Sequence, residues 1–177
     1  MKAKKVKGLS PGMPLGDAAE RIVATRLGEL ERLAPDAIAD AGPGAAHDLR
    51  IAVKRLRYVL DSTAPVLDPY AQTARRHLKR LQDVLGDVQD CEVLIGRAET
   101  LRAALQAEDV ASLVAHRADV TAARHRTAYR GLAMISAHFA ARRALAMRRF
   151  RRNWHALERE EFPAKLRAAA AGRTGPA

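Results

Sequence analysis

One cysteine, Cys91, is all the thiol chemistry that 177 residues contain. No disulfide can close within the chain, and a reducing compartment suits it. Aromatic residues make up only 4% of the total. Proteins that hold single-stranded nucleic acid stack its bases on aromatic rings, so this scarcity argues against such a partner. No apolar run approaches the roughly 20 residues that a membrane-spanning helix needs. The opening MKAKKVKGLSPGMPLG is basic but lacks the apolar stretch of a secretory signal. A cytoplasmic protein with no membrane partner is expected. Sustained alternation with β-branched enrichment is also missing, which argues against a sheet. His77, His116, His125 and His155 show no metal-ligand spacing, and neither a metal nor a cofactor is expected.

What the chain has in excess is positive charge. It carries 31 Lys and Arg against 20 Asp and Glu, a formal net charge of +11. Such a balance favours anionic partners and says nothing about the fold. The excess is unevenly placed: residues 111–177 hold 14 basic and 4 acidic side chains, and residues 1–110 hold 17 and 16. With 48% hydrophobic content, the chain is long enough to bury a core of its own.

Helical periodicity accounts for most of the length. Residues 1–15 are basic and broken by Gly and Pro, and read as a flexible tail. Residues 16–168 read as one helical domain, and 169–177 as a disordered tail. A first helix is predicted from Asp17 to about Leu33, with Ile22, Leu27 and Leu30 turned inward and Pro35 as its stop. Ala41-Gly42-Pro43-Gly44 is a loop. A second helix runs from Ala45 to Ser62, ahead of Pro65. A third runs from Tyr70 to Leu85, with Gly86 either capping it or lying inside a longer helix that reaches Gly96. Further helices are expected from Arg97 to Leu105, Val110 to His138 and Phe139 to Arg159. Phe150 and Trp154 belong to the core. The expected fold is all-α, a bundle of about five to six helices.

The second helix is the best patterned. At about 100° per residue, His47, Arg50, Lys54 and Arg57 fall within an arc of about 80°. Leu49, Val53, Leu56 and Leu60 occupy a separate arc about 60° wide. One helix thus buries leucine and valine while presenting a row of cations over about 15 Å. Four like charges on one face repel unless something neutralises them. Asp61 lies on the same arc and could pair with Arg57, in which case the stripe is a solvated face with local ion pairs. On the third helix Arg76, Lys79, Asp83 and Asp90 cluster opposite Leu78, Leu81, Val84, Leu85 and Val88. There a salt-bridge network competes with a ligand role for Lys79. Later, His138, Arg142 and Arg149 share a face at i, i+4, i+11, and a generally basic solvated helix explains them equally well.

The segments AHDLRIAVKRLRYVLD and RRHLKRLQDVLGDVQDCEVL closely resemble the CHAD family (conserved histidine α-helical domain). The resemblance rests on His47 and Arg50 leading into Lys54-Arg55-Leu56-Arg57-Tyr58. It continues through Leu81-Gln82-Asp83, Leu85-Gly86 and Asp90. It implies a non-catalytic helical module that binds inorganic polyphosphate along a basic channel and associates with polyphosphate granules in bacteria. By position it assigns His47, Arg50, Lys54, Arg57 and Lys79 to the polyanion. Arg55 matches too, but its direction leaves the stripe by about 80°, so it ranks second, with Arg76, His138, Arg142 and Arg149. Family members have two similar helical halves, and this chain is long enough for little more than one. A homodimer that completes the basic groove is therefore expected.

That chemistry suits a linear polyphosphate, which offers anionic oxygens in a row and no base to read. Guanidinium forks and ammonium points in a line match it. Binding should weaken steeply with salt, and a protonated His47 would strengthen it as pH falls from about 8 to 6. Rival readings are a basic helical protein that binds nucleic acid, and a scaffold that docks an acidic protein. A metal-dependent phosphohydrolase built on His47-Asp48 would need a histidine upstream, and the sequence has none before His47.

Overall fold

A computed structural model describes residues 3–42, 44–67 and 69–172. It contains five α-helices: α1 (Leu15–Ala39), α2 (Ala45–Thr63), α3 (Tyr70–His116), α4 (Arg126–Arg159) and α5 (Phe162–Ala171). Short 3₁₀ turns lie at Ala64–Val66 and Val120–Ala122. No strand occurs among the described residues, so the class is all-α, as expected. The chain divides into two compact units, Met1–Gly86 with Met147–Ala177, and Asp87–Ala146.

In the first unit α1 packs on α2 and on α5. Val23, Leu27 and Leu30 of α1 and Leu49, Val53, Leu56 and Leu60 of α2 are fully buried, each side chain contributing about 1.5–3 kcal/mol. Leu78, Leu81 and Leu85 of α3 join them, with Phe150 and Trp154 of α4 and Phe162 and Leu166 of α5. The Trp154 indole N–H donates to Glu158 at 2.7 Å, satisfying its one polar atom.

Several boundaries differ from expectation. Pro35 does not stop α1 but lies inside it. Proline removes a backbone donor, yet one more turn is held from outside. Arg151 Nε donates to the Ile38 carbonyl at 2.8 Å, and the end closes with Asp40 left-handed and the Ala41 N–H on the Asp36 carbonyl at 2.9 Å, a Schellman closure. The segment before α1 is tied to it: the Lys4 N–H donates to the Glu29 carboxylate and Arg26 Nη1 to the Lys4 carbonyl. At the other end α5 reaches Ala171, with Ala169 and Ala170 buried. Pro43 and residues 173–177 of the expected loop and tail lie outside the described residues.

The third helix is continuous for 47 residues, absorbing Gly86, Gly96 and the helix expected from Arg97. A long helix expected across Val110–His138 is instead broken at 117–125. Arg117 is left-handed with φ 50°, and the Asp119 carboxylate accepts the Thr121 N–H at 2.7 Å, a local bond that competes with helix. Asp109 of α3 completes the break, accepting the His125 N–H at 2.9 Å just ahead of α4. It thus caps α4 from a neighbouring helix. The second unit is this hairpin, tied also by Arg143 and Glu92 at 2.9 Å. Burial pushes the Cys91 thiol there above its ordinary range.

Candidate functional site

The same amphipathic pattern that buries Leu49, Val53, Leu56 and Leu60 leaves Arg50, Lys54 and Arg57 half-buried at the margin of that core. Their positions separate their fates. Arg50 Nε and Arg57 Nε are shielded from solvent and have no hydrogen-bond partner among the described residues. A charged donor held out of water without an acceptor costs free energy, and an anionic oxygen would recover it. Lys54 Nζ and the Arg57 guanidinium lie 5.5 and 5.1 Å from the centre of the Tyr58 ring. Tyr58 is exposed, and these cation–π contacts hold both cations against one aromatic ring.

The α3 side adds a second row. A cavity of about 230 Å³ is lined by Arg57 and Asp61 of α2 and by Gln72, Arg75, Arg76 and Lys79 of α3. Asp61 pairs with Arg75 across the two helices, so it does not neutralise Arg57. Lys79 Nζ is 2.7 Å from Asp83 Oδ2, an exposed pair one turn apart. Arg76 Nη2 donates to Thr73 Oγ1 at 3.0 Å and is otherwise exposed. Arg50 runs beside Gly86, where a Cβ would stand 3.9 Å from its Nε. Gln72 and Arg75 were not singled out from sequence, and Tyr58 stood there only as the last residue of the Lys54–Tyr58 motif. Gln72 shares the i, i+4, i+7 spacing of Arg76 and Lys79 and could have been found, whereas the role of Arg75 depends on an acid from another helix.

His47 and Asp48 sit half-buried in the first turn of α2, each engaged by neighbouring groups. Arg55 is half-buried. Its charge bears on buried Glu29 of α1, which also pairs with Arg26 at 2.8 Å. Burial pushes the Glu29 carboxyl up, but the hydrogen bonds from Arg26 and Lys4 and the charges of Arg26 and Arg55 outweigh it and hold it below the ordinary value. His138 and Arg142 belong to the second unit and Arg149 to the first. His138 and Arg142 flank Phe139, at 5.2 and 5.7 Å from its ring centre.

Among the described residues no group of His, Cys, Asp and Glu could hold a metal ion, and no helix is long and apolar enough to cross a membrane. No curated protein and no solved structure matches the chain. A family model, the CHAD domain, matches residues 2–99. That range takes in α1, α2 and the first part of α3, with the α2 stripe, Arg76 and Lys79. It leaves out His138, Arg142 and Arg149. Covering more than half of the sequence and all of the paired cationic rows, the match agrees with the residues that carry the resemblance, and the chain belongs to the CHAD family.

Proposed function

We propose that the chain binds inorganic polyphosphate without catalysing a reaction, gripping it along the face that carries His47, Arg50, Lys54 and Arg57 of α2 and Arg76 and Lys79 of α3. The CHAD domain is associated with polyphosphate. The observation that carries the assignment to this face is the state of Arg50 and Arg57, whose Nε atoms are out of water and without a partner among the described residues. A phosphate chain supplies acceptor oxygens at every residue along its length and needs no aromatic platform or base-edge donor. The α2 row spans about 15 Å, enough for several phosphates. Arg55, whose charge bears on Glu29, is read as supporting the site from behind rather than from within. Cytoplasmic placement on polyphosphate granules follows from the same reading.

A polyphosphate isotherm for the wild type and for Arg50→Ala/Lys54→Ala, at low and high salt, tests it. The wild type is expected to bind with a steep salt dependence. The double variant is expected to lose at least about tenfold in affinity, since hydrogen bonds to charged groups are worth about 1.5–3 kcal/mol each. Equal binding by both proteins would remove this face from consideration. RNA that displaces polyphosphate at lower phosphate equivalents than the reverse would favour the nucleic-acid alternative. Displacement by an acidic protein alone would favour the scaffold.

A further inference from the structure

The last turns of α4 carry a second cationic row that takes no part in the face formed by α2 and α3. Arg148, Arg152, His155 and Arg159 follow one another at spacings of four, three and four, and all are exposed. At about 100° per residue they share an arc of about 60°, and the row covers about 16 Å. Met147, Phe150, Trp154 and Leu157 are buried, about 150° round the helix from the row. Arg148, Arg152 and Arg159 make no hydrogen bond or ion pair among the described residues, while His155 Nδ1 is 2.8 Å from Glu158. Residues 148–159 hold five arginines, one glutamate and no lysine. A face that serves solubility mixes both signs of charge, whereas like charges one turn apart repel until an anion neutralises them.

This row belongs to the same compact unit as the α2 stripe, but α3 stands between the two. Arg76 and Lys79 of α3 line the cavity shared with Arg57 of α2. His77 and Leu81 share a different cavity with Asn153 and Leu157 of α4, and His77 Nε2 is 3.2 Å from Glu160. The two pairs on α3 lie about 150° apart round its axis. A stretch of ligand seated along α2 therefore leaves the α4 row free. Its chemistry points to a linear phosphate polymer, because guanidinium forks take phosphate oxygens in pairs. Phe150 and Trp154 are turned inward, so no aromatic platform for a base accompanies the row. None of the exposed large apolar side chains lies between residues 148 and 159. A protein interface needs such groups at its core, and a membrane-surface helix needs them on its buried face.

We infer that the outward face of α4 is a second polyphosphate-binding row, so that one protein holds two chains, or two stretches of a long one, and cross-links them. The identity of the ligand rests on the polyphosphate assignment above, and the location of the row does not.

Calorimetric titration with a short polyphosphate at low salt, where such contacts are strongest, is expected to give two chains per protein. Arg148→Ala/Arg152→Ala alters only exposed positions that alanine suits, so circular dichroism should be unchanged. Its affinity for the second chain should fall at least about tenfold, leaving one chain bound. Long polyphosphate should turn the wild type turbid and the variant far less so. Arg97→Ala/Arg130→Ala removes the same charge from exposed positions elsewhere and should keep both chains and the turbidity. A wild type that binds one chain, with the α4 variant binding it equally, would overturn the second row and leave the α2 assignment standing. A wild type that binds none would remove the ligand and both rows with it. An equal loss in the Arg97/Arg130 variant would assign the effect to net charge and overturn the proposal. So would a nucleic acid that fills the second place at lower phosphate equivalents than polyphosphate.

Discussion

Asp61 of α2 pairs with Arg75 of α3 and not with Arg57, one turn back on its own helix. The acid that could have quenched the stripe is thus spent between two helices. The pair is about two-fifths and one-third exposed, so its net worth to stability is within the usual 0–1 kcal/mol of a surface ion pair. Removing the carboxylate should cost little stability while freeing Arg75 beside the cavity it lines with Arg57, Arg76 and Lys79. Asp61→Ala is expected to tighten polyphosphate binding by about two- to fivefold, the size of one such charge interaction. Titration at fixed salt checks the sign, and weaker binding would show that Asp61 orients the site instead.

Arg57 and Lys79 line the same cavity but start from different states. Arg57 has a shielded Nε with no partner among the described residues. Lys79 must first give up Asp83, 2.7 Å away. Arg57→Ala should therefore lose about ten- to a hundredfold in polyphosphate affinity, the equivalent of a charge-assisted hydrogen bond. Lys79→Ala should lose only about two- to fivefold. Parallel isotherms measure both, and an equal loss would mean that Asp83 does not hold Lys79 back in solution.

The parts of this molecule that were legible in the sequence are those one helix decides alone. Leu49, Val53, Leu56 and Leu60 share an arc, and all four are fully buried. Helix angle sets Arg55 about 80° off the stripe, and its charge bears on Glu29 of α1. What escaped depends on other elements. Pro35 signals a stop locally, but Arg151, 113 residues away in sequence, holds the last turn of α1. Gly86 and Gly96 suggest breaks that α3 ignores, because glycine lowers helix stability without forbidding the helix. The loop after α3 did carry a local signal in Asp119, which bonds the N–H two residues on, but alanine-rich surroundings masked it. His138, Arg142 and Arg149 share a face by count on α4, with His138 and Arg142 in one compact unit and Arg149 in the other.

Asp109 and Tyr129 set opposite limits on the hairpin's end. Burial pushes the Asp109 carboxyl up, but hydrogen bonds from Tyr129 and His125 and the charge of His125 outweigh it and hold it below its ordinary 3.8. A carboxyl depressed by folding stabilises the fold above its unfolded value, and that contribution is lost as pH falls through the folded value. Burial, the Asp109 hydrogen bond and the charges of Asp109 and Glu108 push Tyr129 up to about 12 from 10.0. Its contribution is whole below 10.0 and is lost as pH rises toward about 12. Protection factors at residues 117–125, with exchange corrected for its intrinsic pH dependence, should therefore be highest between those limits. Asp109→Asn should flatten the acid limb and let Tyr129 ionise earlier, seen as tyrosinate absorbance at lower pH. An unchanged tyrosine titration would mean that the Tyr129 hydroxyl does not donate to Asp109.

Gly86 separates a structural need from a tolerated cost. It lies within α3 on the side that faces Arg50, yet a Cβ built on it would meet Arg50 Nε at 3.9 Å, an ordinary van der Waals contact, and nothing nearer. Its backbone is helical, so no left-handed geometry calls for glycine. Gly86→Ala should then raise stability by about 1 kcal/mol, the helix-propensity difference between the two residues, and urea denaturation would register it as a higher midpoint at constant slope. Polyphosphate affinity separates two outcomes. If it is unchanged, the Arg50 side chain accommodates the methyl group and glycine is dispensable. If affinity falls while stability rises, Arg50 must move toward Gly86 when phosphate binds, and the close approach seen here is the space that movement requires.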